Sequence, residues 1–221
     1  MAILAGLVGF GAAYSLRPFA RQTAPAVDPT AFLRKERLEL FVELPATPQA
    51  VVMAGDSIVA RGEWRELLDD PRVRNRGLPG ERVRDLELRL PSLVEGPPAI
   101  LVLWVGINDL MGGEPPEKVA AAYENALVAL RASAPKVRVL VLSVLPVAKA
   151  RVPELSRRSA IDELNALLQT RVGRHGTTYV DLARTVAAAD GTLSPPYTTD
   201  GVHLNGKGYR AVAQVLAPFL Q

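Results

Sequence analysis

Five short strand-like runs, each leaving through glycine or a polar turn, constrain this chain more than any other feature. They lie at residues 50–54, 73–77, 99–105, 137–145 and 177–182. The third, Ala-Ile-Leu-Val-Leu-Trp-Val, is apolar at every position, the pattern of a strand covered on both faces. The segments between them carry helical spacing. Residues 58–68 and 81–90 read as helices. Residues 115–133 repeat Val119, Tyr123, Leu127 and Leu130, with Pro116 in the first turn. Residues 159–172 carry Ile161, Leu164, Leu167 and Leu168, and 207–220 close the chain behind Asn205 as a cap. Strands alternating with helices predict an α/β fold with a five-stranded parallel sheet. In such sheets ligands bind beyond the carboxyl ends of the strands, where the strand order reverses. The polar clusters follow that rule. Gly55-Asp56-Ser57 comes after the first strand, Gly77 ends the second, and Gly106-Ile107-Asn108-Asp109 follows the third.

The chain ahead of this alternation divides into three parts. Residues 1–16 carry no charged side chain and are rich in Ala, Gly, Leu and Val, up to Arg17, Pro18 and Arg21. That run is shorter than the roughly 20 residues a spanning helix needs. The preferred reading is a short signal-anchor or uncleaved export segment, with membrane association through residues 1–16 and an envelope location favoured over the cytoplasm. A docked terminus is the alternative, and a buried strand is disfavoured by Gly6, Gly9 and Gly11. Residues 17–28 read as a linker. Asp28-Pro29 then starts a helix through Phe32, Leu33, Leu38 and Phe41, so a single domain is expected over residues 29–221.

Composition narrows the chemistry. The 221 residues are 48% hydrophobic and 22% charged, enough to bury one core. A net charge of +3 without a Lys/Arg block gives no basis for nucleic-acid binding. There is no cysteine, which excludes disulfides and thiolate chemistry. The two histidines, His175 and His203, rule out a multi-histidine metal site within one chain, and no cofactor is expected. Arginines 72, 74, 76, 82 and 84 crowd the second strand exit and read as a solvated basic face.

A hydroxyl nucleophile needs a base, a group to orient that base, and donors for the developing oxyanion. Ser57 sits at the first strand exit, where it reads equally as a helix-capping residue. His203 lies three residues after Asp200, close enough in a turn for the carboxylate to fix its tautomer. A loop histidine satisfied by a neighbouring acid has the same look. His175 has no acid nearby in sequence and reads as a helix-end or surface residue. Asn108 at the third strand tip offers a side-chain amide, and Gly77 a backbone N–H. Both residue types are also common in turns. Asp109 reads as structural, holding its loop through backbone hydrogen bonds. Two decoys fail. Gly201 to Gly208 ends in glycine where a phosphate-binding loop requires Ser or Thr, and Gly9-Phe-Gly11 lacks the rest of a dinucleotide fingerprint. No Gly-x-Ser-x-Gly elbow surrounds Ser57.

Taken together and in order, four blocks resemble those of SGNH (GDSL-type) hydrolases: Gly55-Asp56-Ser57; Asn75-Arg76-Gly77-Leu78-Pro79-Gly80; Gly106-Ile107-Asn108-Asp109; and Asp200-Gly201-Val202-His203-Leu204. The resemblance runs from about residue 50 to the C-terminus and is strongest to esterases like the platelet-activating-factor acetylhydrolases. It implies a flavodoxin-like three-layer α/β/α sandwich and a serine esterase cleaving carboxylic esters with short acyl or acetyl groups. Ser57 would be the nucleophile, and Asp200 and His203 would complete the triad. Ser57 N–H, Gly77 N–H and the Asn108 amide would form the oxyanion hole. The implied partner is a small-molecule or lipid or glycan ester. An O-acetyl esterase or acyltransferase on cell-envelope carbohydrate is the first alternative, and a non-catalytic lipid- or glycan-binding module the second. Pro79 departs from the glycine many relatives carry and stiffens the loop after Gly77.

Overall fold

The computed structural model describes residues 28–148, 150 and 159–221. The apolar run at 1–16 and the linker up to residue 27 lie outside the described residues. Among the described residues, no helix is long and apolar enough to cross a membrane.

The chain order is α1 (Pro29–Glu43), β1 (Val51–Gly55), α2 (Ser57–Ala60), α3 (Trp64–Leu67), β2 (Val73–Gly77), α4 (Val83–Val94), β3 (Ile100–Trp104), α5 (Ile107–Met111), α6 (Pro116–Ser133), β4 (Arg138–Leu142), α7 (Ser159–Arg171), β5 (Thr178–Val180), α8 (Ala183–Val186) and α9 (Gly206–Leu216). The five strands form one parallel sheet in the order β2-β1-β3-β4-β5. β1 and β3 are fully buried, as strands covered on both faces must be. Helices α4, α6 and α7 pack on one another as one layer, and α3, α8 and α9 form the other. This is the three-layer α/β/α arrangement expected from the sequence.

The order reverses at β1. The chain first adds β2 on one side of it and then β3 on the other. Gly55, the last residue of β1, stands beside Trp104, the last of β3. In parallel sheets ligands bind beyond such a reversal, and the polar clusters Gly55-Asp56-Ser57 and Gly106-Ile107-Asn108-Asp109 follow these two strand ends.

Two helices and two strands differ in their bounds from expectation. The helix read over 58–68 is broken into α2 and α3. The Asn75 amide donates to the carbonyls of Val59 (2.9 Å) and Gly62 (2.9 Å), which stops α2 from propagating. Trp64 then turns inward, 1% exposed, and its indole N–H donates to Val59 O at 2.8 Å. The helix read over 81–90 begins later and continues to Val94 through Pro91, because buried Leu93 and Val94 hold its last turn. The last two strands pair over shorter spans than the apolar runs, since residues 143–147 stay buried after leaving the sheet. The Asn205 cap is as expected, its side chain accepting from Lys207 N (3.0 Å) and Gly208 N (3.1 Å).

Candidate active site

Ser57 is the first residue of α2, so its N–H is one of those a helix start leaves unspent. Asp56 caps the same helix through Ile58 N at 2.8 Å. The short helix is fixed from both sides. Tyr209 of α9 donates its hydroxyl to Ile58 O at 2.8 Å, and Asn75 holds the carbonyls at its far end. Trp64 meets Tyr209 edge-on, with ring centroids 5.5 Å apart, and Trp104 at a tilt of 55°, with centroids 5.8 Å apart.

His203 lies in the turn before α9, 146 residues away in sequence, and its Nε2 is 2.9 Å from Ser57 Oγ. Its Nδ1 is 2.6 Å from Asp200 Oδ2. The other Asp200 oxygen accepts from Val202 N (3.0 Å) and His203 N (2.8 Å). Partial burial alone would raise the Asp200 pKa. The hydrogen bonds from His203 and Val202 outweigh it and hold this carboxyl well below the usual carboxylate range. Arg61, at the end of α2, stands 3.8 Å from the same Asp200 oxygen. Serine, imidazole and carboxylate thus form one continuous hydrogen-bonded line.

Gly77, the last residue of β2, and Gly80, in the turn that follows, play different parts. Gly77 N–H is taken by Asn75 Oδ1 at 2.9 Å. A Cβ on Gly77 would come within 2.3 Å of Ala60 N, so glycine is needed there for β2 to pack against α2. Gly80 is the third residue of a tight turn, Leu78-Pro79-Gly80-Glu81, closed by Glu81 N donating to Leu78 O at 3.1 Å. Its φ of +73° with proline before it is the type II pattern. Among the described residues, Gly80 N–H has no protein acceptor. Asn108, in α5, donates from Nδ2 to Glu81 O at 3.0 Å, which places its amide against this same turn.

Asp109 has the structural role expected of it, its carboxylate accepting from Val83 N at the start of α4 (3.2 and 3.3 Å). Asp56 is 2% exposed. Burial pushes its carboxyl up to about 7 against the Ile58 N–H bond, and the nearby Glu81 and Asp109 carboxylates add to the rise. His175 lies away from the site, 3.9 Å from Glu124. Arg76 is not part of a solvated face. It is 8% exposed, with its guanidinium over the Phe41 ring and donating to Leu44 O and Asn75 O. Gly80, Glu81, Arg61 and Arg89 were not marked by the sequence. Pro79-Gly80 is the one signal that would have found a member of this set, because that dipeptide announces a turn with a positive φ.

A family model for GDSL-like lipases and acylhydrolases matches residues 53–211. The chain belongs to this family. It is a GDSL-type carboxylic ester hydrolase. No curated protein matches the sequence. Solved structures give the same fold. A GDSL-like lipase from Bacteroides thetaiotaomicron aligns with TM-score 0.73 at 22% identity, over 85% of this chain and 96% of its own. A Streptococcus pneumonia protein, provisionally described as a platelet activating factor, aligns with TM-score 0.75 at 22% identity, over 87% and 94%. An acetyl-xylooligosaccharide esterase from Geobacillus Stearmophilus aligns with TM-score 0.63 at 17% identity, over 79% and 95%. At these identities the likeness is one of fold.

Proposed function

We propose that this GDSL-type hydrolase cleaves short-acyl carboxylic esters by two-step acyl transfer through an acyl-enzyme on Ser57. The observation that carries the reading is the line Ser57 Oγ to His203 Nε2 to Asp200, at 2.9 and 2.6 Å. His203 Nε2 takes the Ser57 proton as Oγ attacks the ester carbonyl. Asp200 holds Nδ1–H, fixes the tautomer and stabilises the imidazolium that forms. The protonated imidazole then gives its proton to the leaving alcohol. Water attacks the acyl-enzyme with His203 again as base, and Ser57 is regenerated.

The oxyanion is received by Ser57 N–H, by the second amide proton of Asn108 and by Gly80 N–H. Gly80 replaces Gly77 in this role, because Gly77 N–H is already spent on Asn75. The preference for short acyl groups is drawn from the relatives, which include an acetyl-xylooligosaccharide esterase, and the chain-length profile tests it. The testing experiment is Ser57→Ala assayed on p-nitrophenyl acetate, butyrate and octanoate. The expected result is loss of turnover by about a thousandfold or more on a short-chain-preferring profile. Turnover at the wild-type level in the folded variant would sink the assignment.

A further inference from the structure

The turn that carries Gly80 is held by more bonds than a five-residue connection requires, and most of them converge on Glu81. The Glu81 N–H closes the turn on Leu78 O. Its carbonyl accepts from Asn108 Nδ2 at 3.0 Å. Its carboxylate is 0% exposed and is gripped by both arms of Arg89, from Nε to Oε1 and from Nη2 to Oε2 at 2.6 Å. The same Arg89 Nη2 reaches Arg76 O at 2.6 Å, near the end of β2. One guanidinium from the second turn of α4 therefore ties the last strand residues to the turn that follows them.

This arrangement bears on geometry at the serine. A planar amide has two N–H directions set about 120° apart. Once Glu81 O takes one Asn108 proton, the orientation of that carbonyl decides where the other points. Glu81 also follows Gly80 directly, so a shift of its buried carboxylate moves the peptide that presents Gly80 N–H. Arg34 steadies the turn from α1, donating to Pro79 O at 2.8 Å, but that bond holds neither Glu81 nor Asn108.

We infer that Arg89 is a positioning residue for ester hydrolysis. By clamping Glu81 and Arg76 O it sets the Gly80 and Asn108 donors that receive the oxyanion. The inference rests on the acyl-enzyme reading given above. Arg89 touches no reacting atom. Its effect appears in the transition state, where the charge on the oxygen develops, and hardly in substrate binding.

The test compares Arg89→Met, Arg89→Lys and the double variant Glu81→Gln/Arg89→Met. Steady-state kinetics on p-nitrophenyl butyrate are measured beside thermal melting. Arg89→Met is expected to lower kcat by about ten- to a hundredfold with KM within about twofold, the scale on which misplaced catalytic groups act. Arg89→Lys keeps the charge and one of the bonds, and is expected to fall between Arg89→Met and wild type. The double variant removes the unpaired buried charge, so its melting temperature recovers while its kcat stays low. Where Arg89→Met does not fold, the lysine and double variants carry the comparison. A kcat within twofold of wild type in folded Arg89→Met overturns the inference, as does a lysine variant no more active than Arg89→Met or a double variant whose kcat recovers together with its melting temperature. Ser57→Ala at full turnover would remove the acyl-enzyme reading and this inference with it. A dead Ser57→Ala beside unimpaired Arg89 variants defeats the inference alone.

Discussion

Asp56→Asn should change how the stability of this protein depends on pH. The Asp56 carboxyl is 2% exposed, and burial pushes it from 3.8 up to about 7. That displacement is roughly three pH units. At about 1.4 kcal/mol per unit it corresponds to at most ~4 kcal/mol of pH-dependent stability. The native state keeps the proton over a range in which the unfolded chain has already lost it. Stability is therefore complete near pH 4 and drains as pH rises through about 7. Asp109, pushed up to about 6 chiefly by burial, acts in the same direction over a narrower window. Asp200 acts oppositely. Its depressed pKa makes a contribution that is present above the ordinary carboxylate range and is lost as pH falls below it. Wild type should thus be most stable at mildly acidic pH. Asparagine keeps the oxygen that accepts from Ile58 N–H and does not titrate. Urea unfolding from pH 5 to 8.5 provides the assay. Wild type is expected to lose a few kcal/mol across that range, and Asp56→Asn to lose distinctly less. Two curves that run parallel, separated by a constant offset, would refute the reasoning.

Asp200→Asn leaves His203 without the acceptor that fixes its tautomer. The expected loss in kcat is about 10³- to 10⁴-fold with little change in KM, read from steady-state kinetics on a soluble ester. Tyr209→Phe removes the hydroxyl that donates to Ile58 O at 2.8 Å. It should cost about 1–2 kcal/mol in urea unfolding, since a buried carbonyl loses its partner. Gly77→Ala and Gly80→Ala separate the two glycines. A methyl at Gly77 meets Ala60 N at 2.3 Å and should destabilise by about 1–3 kcal/mol or more. A methyl at Gly80 meets only Thr30 Cγ2 at 3.9 Å and pays mainly for φ of +73°, about 1 kcal/mol. Thermal melts in the reverse order would contradict the division of roles.

Much of this fold was legible because it rests on local pattern. Residues 51–54 and 100–104 are apolar at every position, and only a doubly covered strand buries such a run. The ends of β1 and β3 then fix where a site must lie. What was not legible depends on contacts between distant segments. Nothing in 58–68 announces that Asn75 will stop α2, or that Trp64 will turn into the core. The block Asn75-Arg76-Gly77-Leu78-Pro79-Gly80 contains two glycines, and its own sequence does not say which one packs against α2. Ala60 decides that from seventeen residues earlier, by leaving no room for a Cβ at 77. Arg89 is one of two arginines in α4 until the chain folds and brings its guanidinium onto Glu81. Ser57, Asp200 and His203 were singled out by the company of residue types at successive strand exits. The distances among them come only from folding 146 residues of chain back on the first strand.

Covalent labelling by a fluorophosphonate tests the proposed nucleophile most directly. The reagent is attacked by an activated serine and leaves a stable adduct whose position can be read by peptide mass mapping. The prediction is one adduct per chain, on Ser57, with labelling slowed by orders of magnitude in His203→Ala. An adduct on another serine, or an active preparation that takes up no label, would contradict the account.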